Sequence, residues 1–522
     1  MTIRRTARAG AVLLLLAAVA SAEGLTEAQR RGKRIYMEGK GQGKIAAVLS
    51  GSGISAPGKG FPCVNCHLAG GGGQREGGVR SADITYFNLT KEYGGVRPTG
   101  RVHPAYTDEA IMAAVVKGVD PAGNALDPAH PRYRMSRGDL EDLVAYIKVM
   151  DREPVPGVTD NEVRVGVLLP AKGNLAEAGE EVRALLSGVF AEANGRGGFF
   201  QRSLVLVPVP FDPGIPGDAL AAARKVVEED DVFCFLGNVG VPAEDNASRF
   251  LTGARVPVVA PLVTVPEAGW TDRYTFHVFG SVGDQARVMV DFVAGRMKPG
   301  DARIALVHSS DPVSRGGAAG AREQAARRET TVAGEREFGP GKPPSREEVA
   351  RLKEVGPGAV LYFGGPGEAL AFLSEADALD WHPLFLAPAP MVADALGKAP
   401  AGFRDRLFLA SPLEAGNPAS PGMEAFFRVE SKYGVGRRHR TFQFIAYAGA
   451  ILLEEGLTRT GRGVTREKFV DAIGNVWMLE TGVTPPLTYS PNRRAGAVGA
   501  SILRVEPGSG KMTQEAKWRE PR

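Results

Sequence analysis

The chain has 522 residues, 43% hydrophobic and 23% charged, with a formal net charge of +4. That length allows two to four compact units, and the composition is ordinary for a globular protein. Three of the excess positive charges, Arg4, Arg5 and Arg8, sit in the first 22 residues, which hold no acid. The remainder is near neutral, which excludes recognition of nucleic acid or an anionic membrane by bulk charge.

Residues 1–22 read as a secretory signal peptide. Arg4, Arg5 and Arg8 form the charged n-region, and Ala11 to Val19 an apolar core too short to span a bilayer. Ala20-Ser21-Ala22 is an A-x-A cleavage site. The expected location is the periplasm. No later run reaches 18 apolar residues, so no membrane span is expected.

A helix opens at Thr26, an N-cap with Gln29 completing a capping box. Ala28, Gly32, Ile35 and Tyr36 share one of its faces. Gly39 to Gly60 reads as a loop. Then comes Cys63-Val64-Asn65-Cys66-His67, a C-x-x-C-H run. Its chemistry is specific: two thiols form thioethers with haem vinyl groups, and the following histidine sits under the iron. A redox C-x-x-C pair would need a βαβ context, and a zinc site a second Cys/His pair downstream; neither is present. The expected cofactor is one covalent haem c, held by Cys63, Cys66 and His67. Further helices are predicted over Thr107–Val116 and Ser136–Met150, the second capped by Ser136 and striped by Leu140, Leu143, Val144 and Ile147.

Glu23 to about Asp151 resembles the class I cytochrome c domains, on Pro62-Cys63-Val64-Asn65-Cys66-His67 and Pro131-Arg132-Tyr133-Arg134-Met135-Ser136. The resemblance implies an all-α fold in which the first and last helices cross. The family usually places a methionine directly before a proline as sixth iron ligand. Here that position is His130, before Pro131, and Met135 follows just ahead of the helix cap. The metal ligands are therefore His67 with either His130 or Met135. His103 is a third histidine, expected in a surface loop. Thioether ligation raises the potential relative to imidazole, so the choice bears on the redox partner.

Residues 152–161 contain Pro154, Pro156 and Gly157 and read as a stiff linker. Beyond them the texture changes. Strands are predicted at Val163–Leu169, Leu204–Val209, Val232–Leu236, Val256–Ala260, Arg303–Val307, Ala359–Phe363 and Leu384–Ala387. Helices alternate with them, including Ala176–Asn194, Asp218–Glu229, Gly316–Arg328, Gly422–Tyr433 and Thr441–Leu457. This alternation gives parallel sheets covered on both faces, in two lobes. Cys234 is expected as a buried thiol. Trp270, Trp381 and Trp477 are expected to pack, and Arg437-Arg438-His439-Arg440 to form a solvated turn.

Glu162 to about Arg504 is similar to the type I periplasmic binding proteins of the leucine/isoleucine/valine group. The stretches that carry it are Val165-Gly166-Val167-Leu168-Leu169-Pro170, Phe235-Leu236-Gly237, Val256-Pro257-Val258-Val259-Ala260-Pro261, Tyr274-Thr275-Phe276-His277-Val278-Phe279-Gly280 and Ala446-Tyr447-Ala448-Gly449. The full reading is multidomain: signal peptide 1–22, cytochrome c domain 23–151, linker 152–161, and a two-lobed α/β periplasmic-binding-protein type I module over 162–522. Its first lobe takes about 162–279 and 412–475, its second about 280–411 and 476–522. Ligand is expected in the cleft at the carboxyl ends of the strands, near Asn238, Gly240, Thr264, Ser310 and Asp311. The hydroxyl-rich loop of amino-acid binders is replaced by Val239-Gly240-Val241-Pro242, and no carboxylate stands near Ala389-Pro390 to meet an ammonium. Burying an ammonium with no partner costs several kcal/mol, so the expected solute is not a standard amino acid.

Two functions follow, neither enzymatic. In one, the protein transfers electrons and binds a small solute, with a periplasmic dehydrogenase or another cytochrome as redox partner. In the other, it is the substrate-binding component of an ABC importer with an accessory haem domain, and its partner is the permease.

Overall fold

The computed structural model describes residues 25–49, 53–73, 75–76, 79–96, 100–229, 232–242, 245–262, 272–297, 302–413 and 420–522. The expected signal peptide, Trp270 and Thr264 lie outside them. The chain divides between Glu153 and Pro154 into two compact units. No helix among the described residues is long and apolar enough to cross a membrane.

The first unit contains α1 (Glu27–Glu38), β1 (Ala46–Val48), β2 (Ser55–Pro57), α2 (Val64–His67), β3 (Arg75–Glu76), β4 (Val79–Arg80), α3 (Tyr86–Leu89), β5 (Gly95–Val96), β6 (Val102–His103), α4 (Asp108–Lys117), β7 (Arg132–Arg134) and α5 (Arg137–Ile147). The capping boundaries read from the sequence are those observed: Thr26 accepts from the Gln29 N–H, and Ser136 from the Asp139 N–H. The helices α1 and α5 cross at Gly32, where a Cβ would fall 1.9 Å from the Asp142 carbonyl oxygen. Only glycine permits that approach, and Arg31 closes it with a two-pronged bond to Asp142, at 2.6 and 2.8 Å.

An all-α unit was the expectation, and the structure departs from it. The stretch from Gly39 to Gly60 is not only loop. It supplies β1 and β2, which join β7 in a three-stranded antiparallel sheet of order β2-β1-β7. Ala46-Ala47-Val48 is too short and too small to stand out as a strand, and it gains its partners only from residues 132–134, far along the chain.

The second unit contains β8 (Glu162–Pro170), α6 (Ala176–Gly195), β9 (Ser203–Phe211), α7 (Asp218–Glu228), β10 (Cys234–Leu236), α8 (Asn246–Gly253), β11 (Val258–Val259), β12 (Thr275–Phe279), α9 (Val282–Arg296), β13 (Arg303–Ser309), α10 (Pro312–Arg327), β14 (Thr331–Phe338), α11 (Arg346–Glu354), β15 (Ala359–Phe363), α12 (Pro366–Ala378), β16 (Leu384–Pro388), α13 (Ala389–Leu396), β17 (Leu407–Ser411), α14 (Pro421–Lys432), α15 (Arg440–Thr460), α16 (Arg466–Ile473), β18 (Ala495–Ala497), β19 (Ala500–Val505) and β20 (Met512–Arg519). Two sheets result. The first is wholly parallel, of order β18-β12-β11-β10-β8-β9; the second runs β14-β13-β15-β16-β17-β19-β20 and turns antiparallel after β17. Each sheet is covered on both faces. α6, α14, α15 and α16 close one side of the first and α7 with α8 the other. α9 and α10 close one side of the second, and α11 to α13 the other. Near-continuous apolar runs such as Val163–Leu169 are what a doubly covered parallel strand needs.

The chain crosses between the lobes three times, after β12, β17 and β18. The last crossing falls at Ala497–Ala500, later than the expected boundary at 475–476. Val476, Leu487 and Tyr489 bury in the first-lobe core, and β18 pairs with β12. β14 and β20 were not legible as strands because they are edge strands with polar, largely exposed faces. The expected linker is partly structure: Val155 and Val158 pack on the first-lobe core, and Val158 bridges Val163. Cys234 is fully buried in β10, and burial pushes its thiol up. The basic cluster is clamped rather than merely solvated. Arg437 and Arg440 pair with buried Glu430, Arg438 with Glu177, and the Arg438 and His439 N–H groups donate to Glu181. Trp381 packs edge-on to Phe372, whereas Trp477 is 76% exposed and does not pack.

Candidate functional site

In the first unit, α2 carries the C-x-x-C-H run as one short helical turn. The His67 N–H donates to the Cys63 carbonyl at 2.9 Å, and the Tyr36 hydroxyl bonds the Leu68 carbonyl at 2.6 Å, tying the run to α1. The Tyr133 hydroxyl holds Phe61 in the same way, at 2.6 Å. His67 Nδ1 donates to the Ala82 carbonyl at 2.9 Å. A carbonyl only accepts, so this bond fixes the ring and makes Nε2 the basic nitrogen.

These residues border a cavity of about 390 Å³, within the usual range for small-molecule sites. Tyr36, Phe61, Leu89, Ile111, Leu143 and Ile147 are among its apolar walls; Cys63, Cys66 and His67 form one side, and His130 lies across. The His67 and His130 ring centres are 6.3 Å apart, with planes at 63°. That separation would admit one metal ion between the two rings, a metal–imidazole bond being about 2 Å. Burial, then His67 and Arg132, lower the His130 pKa to about 4, so its ring is neutral. Burial pushes the Cys63 thiol up to about 12. Two thiols, apolar walls and opposed imidazoles fit a covalently attached porphyrin.

The three candidates for a second ligand beside His67 separate clearly. His130 lines the cavity. Met135 does not; it packs at the edge of the unit's core beside the α5 cap. His103 is not on the surface, as expected, but 3% exposed. It stacks edge-on to Tyr106 at 5.0 Å and bonds the Pro104 carbonyl through Nδ1. The sequence reading missed Arg101, which lines the cavity and pairs with buried Asp120. The signal was present in Asp120-Pro121-Ala122-Gly123-Asn124, an aspartate-led turn whose carboxylate accepts from the Ala122 and Asn124 N–H groups.

In the second unit, the residues expected at the cleft stand at strand ends but differ in role. Asn238 follows β10 and is 3% exposed. Its Oδ1 accepts the Leu168 N–H at 3.0 Å, and its carbonyl accepts the Leu262 N–H at 2.8 Å. It joins β8, β10 and β11 at their carboxyl ends, a structural role beside its expected place at the cleft. Gly240 has φ +69°, and a Cβ there would meet Leu175 at 2.9 Å. Ser310 continues β13, its N–H donating to the Phe338 carbonyl. Asp311 caps α10 by accepting the Ser314 N–H at 2.9 Å. Burial pushes its carboxyl up, but the hydrogen bonds around Ser314 outweigh that and hold it below the usual range. Asp245, in the loop after β10, caps α8 by accepting the Ala247 N–H at 2.7 Å; β16 runs directly into α13, and the described residues between β17 and α14 include no acid.

The family model described as periplasmic binding protein matches residues 162–511, about two-thirds of the chain. The Leu/Ile/Val-binding protein of Citrobacter freundii is 24% identical over 322 residues, 60% of this chain and 83% of that protein. The Leu/Ile/Val-binding protein homolog 2 of Brucella abortus (strain 2308) is 25% identical over 317 residues, 58% and 80%. Among solved structures, a fatty acid ABC transporter substrate-binding protein from Thermomonospora curvata superposes with TM-score 0.55 at 17% identity, covering 70% of this chain and 95% of that one. A solute-binding protein from R. palustris in complex with 4-hydroxybenzoate gives TM-score 0.53 at 17% identity, covering 69% and 98%. The first unit lies outside the matched segment.

Proposed function

This chain belongs to the periplasmic binding protein family, and from that premise we propose that it is the solute-binding component of an ABC importer, delivering a small molecule to a permease. The observation that carries the reading is a family match spanning both lobes of a module with three crossings. It favours the importer over the redox carrier, whose dehydrogenase or cytochrome partner rests on the first unit alone. The solute lacks an α-ammonium group: Asp311 and Asp245 are committed to the caps of α10 and α8, and no carboxylate stands at Ala389-Pro390, where β16 runs into α13. Calorimetric titration with branched-chain amino acids and with the corresponding deaminated carboxylates tests it. Binding of the carboxylates alone is expected; tight binding of leucine, isoleucine or valine overturns the ligand assignment.

A second reading concerns the first unit, which we propose holds one haem c through Cys63 and Cys66, with His67 and His130 as axial ligands. The separation of the two rings supports it. Bound there, the haem supplies one-electron chemistry. The protein's part is to fix His67 through Ala82, to hold His130 neutral, and to exclude water with the walls of the cavity. The optical spectrum of the oxidised holoprotein discriminates the ligands. A low-spin spectrum with no sulfur-to-iron charge-transfer band is expected, and the presence of that band would restore Met135.

A further inference from the structure

The walls of the first unit's cavity are mostly apolar, yet a porphyrin brings two carboxylates. Burying a carboxylate without a partner costs several kcal/mol. Two arginines line the cavity, Arg80 and Arg101, and they differ in setting. Arg80 is exposed. Arg101 is not: its side chain is 19% exposed, and its partner Asp120 is fully buried. The contact between them is 3.5 Å from Nη1 to Oδ2, an ion pair without hydrogen-bond geometry, and Nη1 is buried with no hydrogen-bond acceptor. Asp120 spends its oxygens elsewhere, on the Ala122 N–H, the Asn124 N–H and the Asn124 side-chain amide, at 2.9 to 3.0 Å. The turn at 120–124 is therefore a rigid mount for a carboxylate that holds a guanidinium at the cavity wall and leaves one of its nitrogens in want of an acceptor.

We infer that Arg101 is the charge and hydrogen-bond partner of a haem propionate, and that Asp120 is its positioning residue. The inference rests on the haem reading of the first unit. Arginine suits the role because its planar fork meets a carboxylate with two parallel bonds, which lysine cannot do. The pair also acts on the iron. The oxidised centre carries one more positive charge than the reduced one. Arg101 opposes that charge and Asp120 favours it.

The test uses the full chain matured with haem in a periplasm, as wild type, Arg101→Gln, Arg101→Lys and Asp120→Asn. Three quantities are read: intact mass, the resonance Raman band for propionate bending, and midpoint potential. Expected are haem in all four by mass, a shifted propionate band and a lowered potential in Arg101→Gln, an intermediate band in Arg101→Lys, and a raised potential in Asp120→Asn. The opposite signs matter, because a merely structural disturbance moves both variants the same way. If Arg101→Gln fails to mature, the intermediate band of Arg101→Lys and the raised potential of Asp120→Asn carry the test. An unchanged band and potential in haem-loaded variants overturns the assignment of Arg101. Absence of haem from the wild type overturns the haem reading itself, a result that mass alone distinguishes.

Discussion

Half of the buried side chains that form the core of the first unit, among them Tyr36, Leu89, Ile111, Leu143 and Ile147, also line its cavity. In the first lobe of the second unit the corresponding residues, from Val165 and Phe276 to Leu453 and Phe469, pack on one another between sheet and helices. The contrast is one of self-sufficiency. A parallel sheet clad on both sides closes its core with its own side chains. The first unit has short helices and a three-stranded sheet arranged around a cavity.

The largest expected effect breaks the two units apart. Replacing both thiols (Cys63→Ser with Cys66→Ser) prevents attachment and removes the first unit's unfolding transition in calorimetry, while the transition of the second unit stays in place. A single unchanged transition would contradict the contrast. The next effect belongs to the second unit and depends on pH. His277 is fully buried in β12, and burial lowers its pKa from 6.5 to about 4. Between those values the unfolded chain binds a proton that the fold does not. Stability is therefore complete above about pH 6.5 and falls as pH drops toward 4, by up to about 3 kcal/mol. Chemical denaturation at pH 7 and pH 4.5 reads it, and His277→Gln flattens the dependence. Smaller again is Gly32→Ala at the α1–α5 crossing, which costs the first unit about 2 kcal/mol by overpacking. Asn238→Ala leaves the Leu168 N–H without its acceptor and costs the second unit about 1 kcal/mol. Solute affinity changes little if Asn238 is structural, and a complete loss of binding would return it to the ligand site.

What the sequence disclosed follows from how local each signal is. The haem motif is five adjacent residues, and the Thr26 and Ser136 caps are decided within four. The doubly covered strands are apolar runs whose meaning needs no distant partner. His130 over Met135 was not decidable, because the choice depends on which residue the loop after α4 brings opposite His67. The role of Asn238 was hidden because it arises from β10 lying beside β8, whose Leu168 precedes it by 70 positions. The strands β14 and β20 were silent because their largely exposed residues carry no apolar pattern, whereas β9, also at an edge, buries Leu204, Val209 and Phe211 and was legible. Arg101 fell between these cases: its turn was readable, but its place on the cavity wall was not.

The most direct measurement is the intact mass of the full-length chain matured in a periplasm competent for cytochrome c assembly. One covalently added haem per chain, abolished in the double serine variant, is the expected result. A mass equal to that of the polypeptide alone would contradict the account and leave a solute receptor whose first unit has some other purpose.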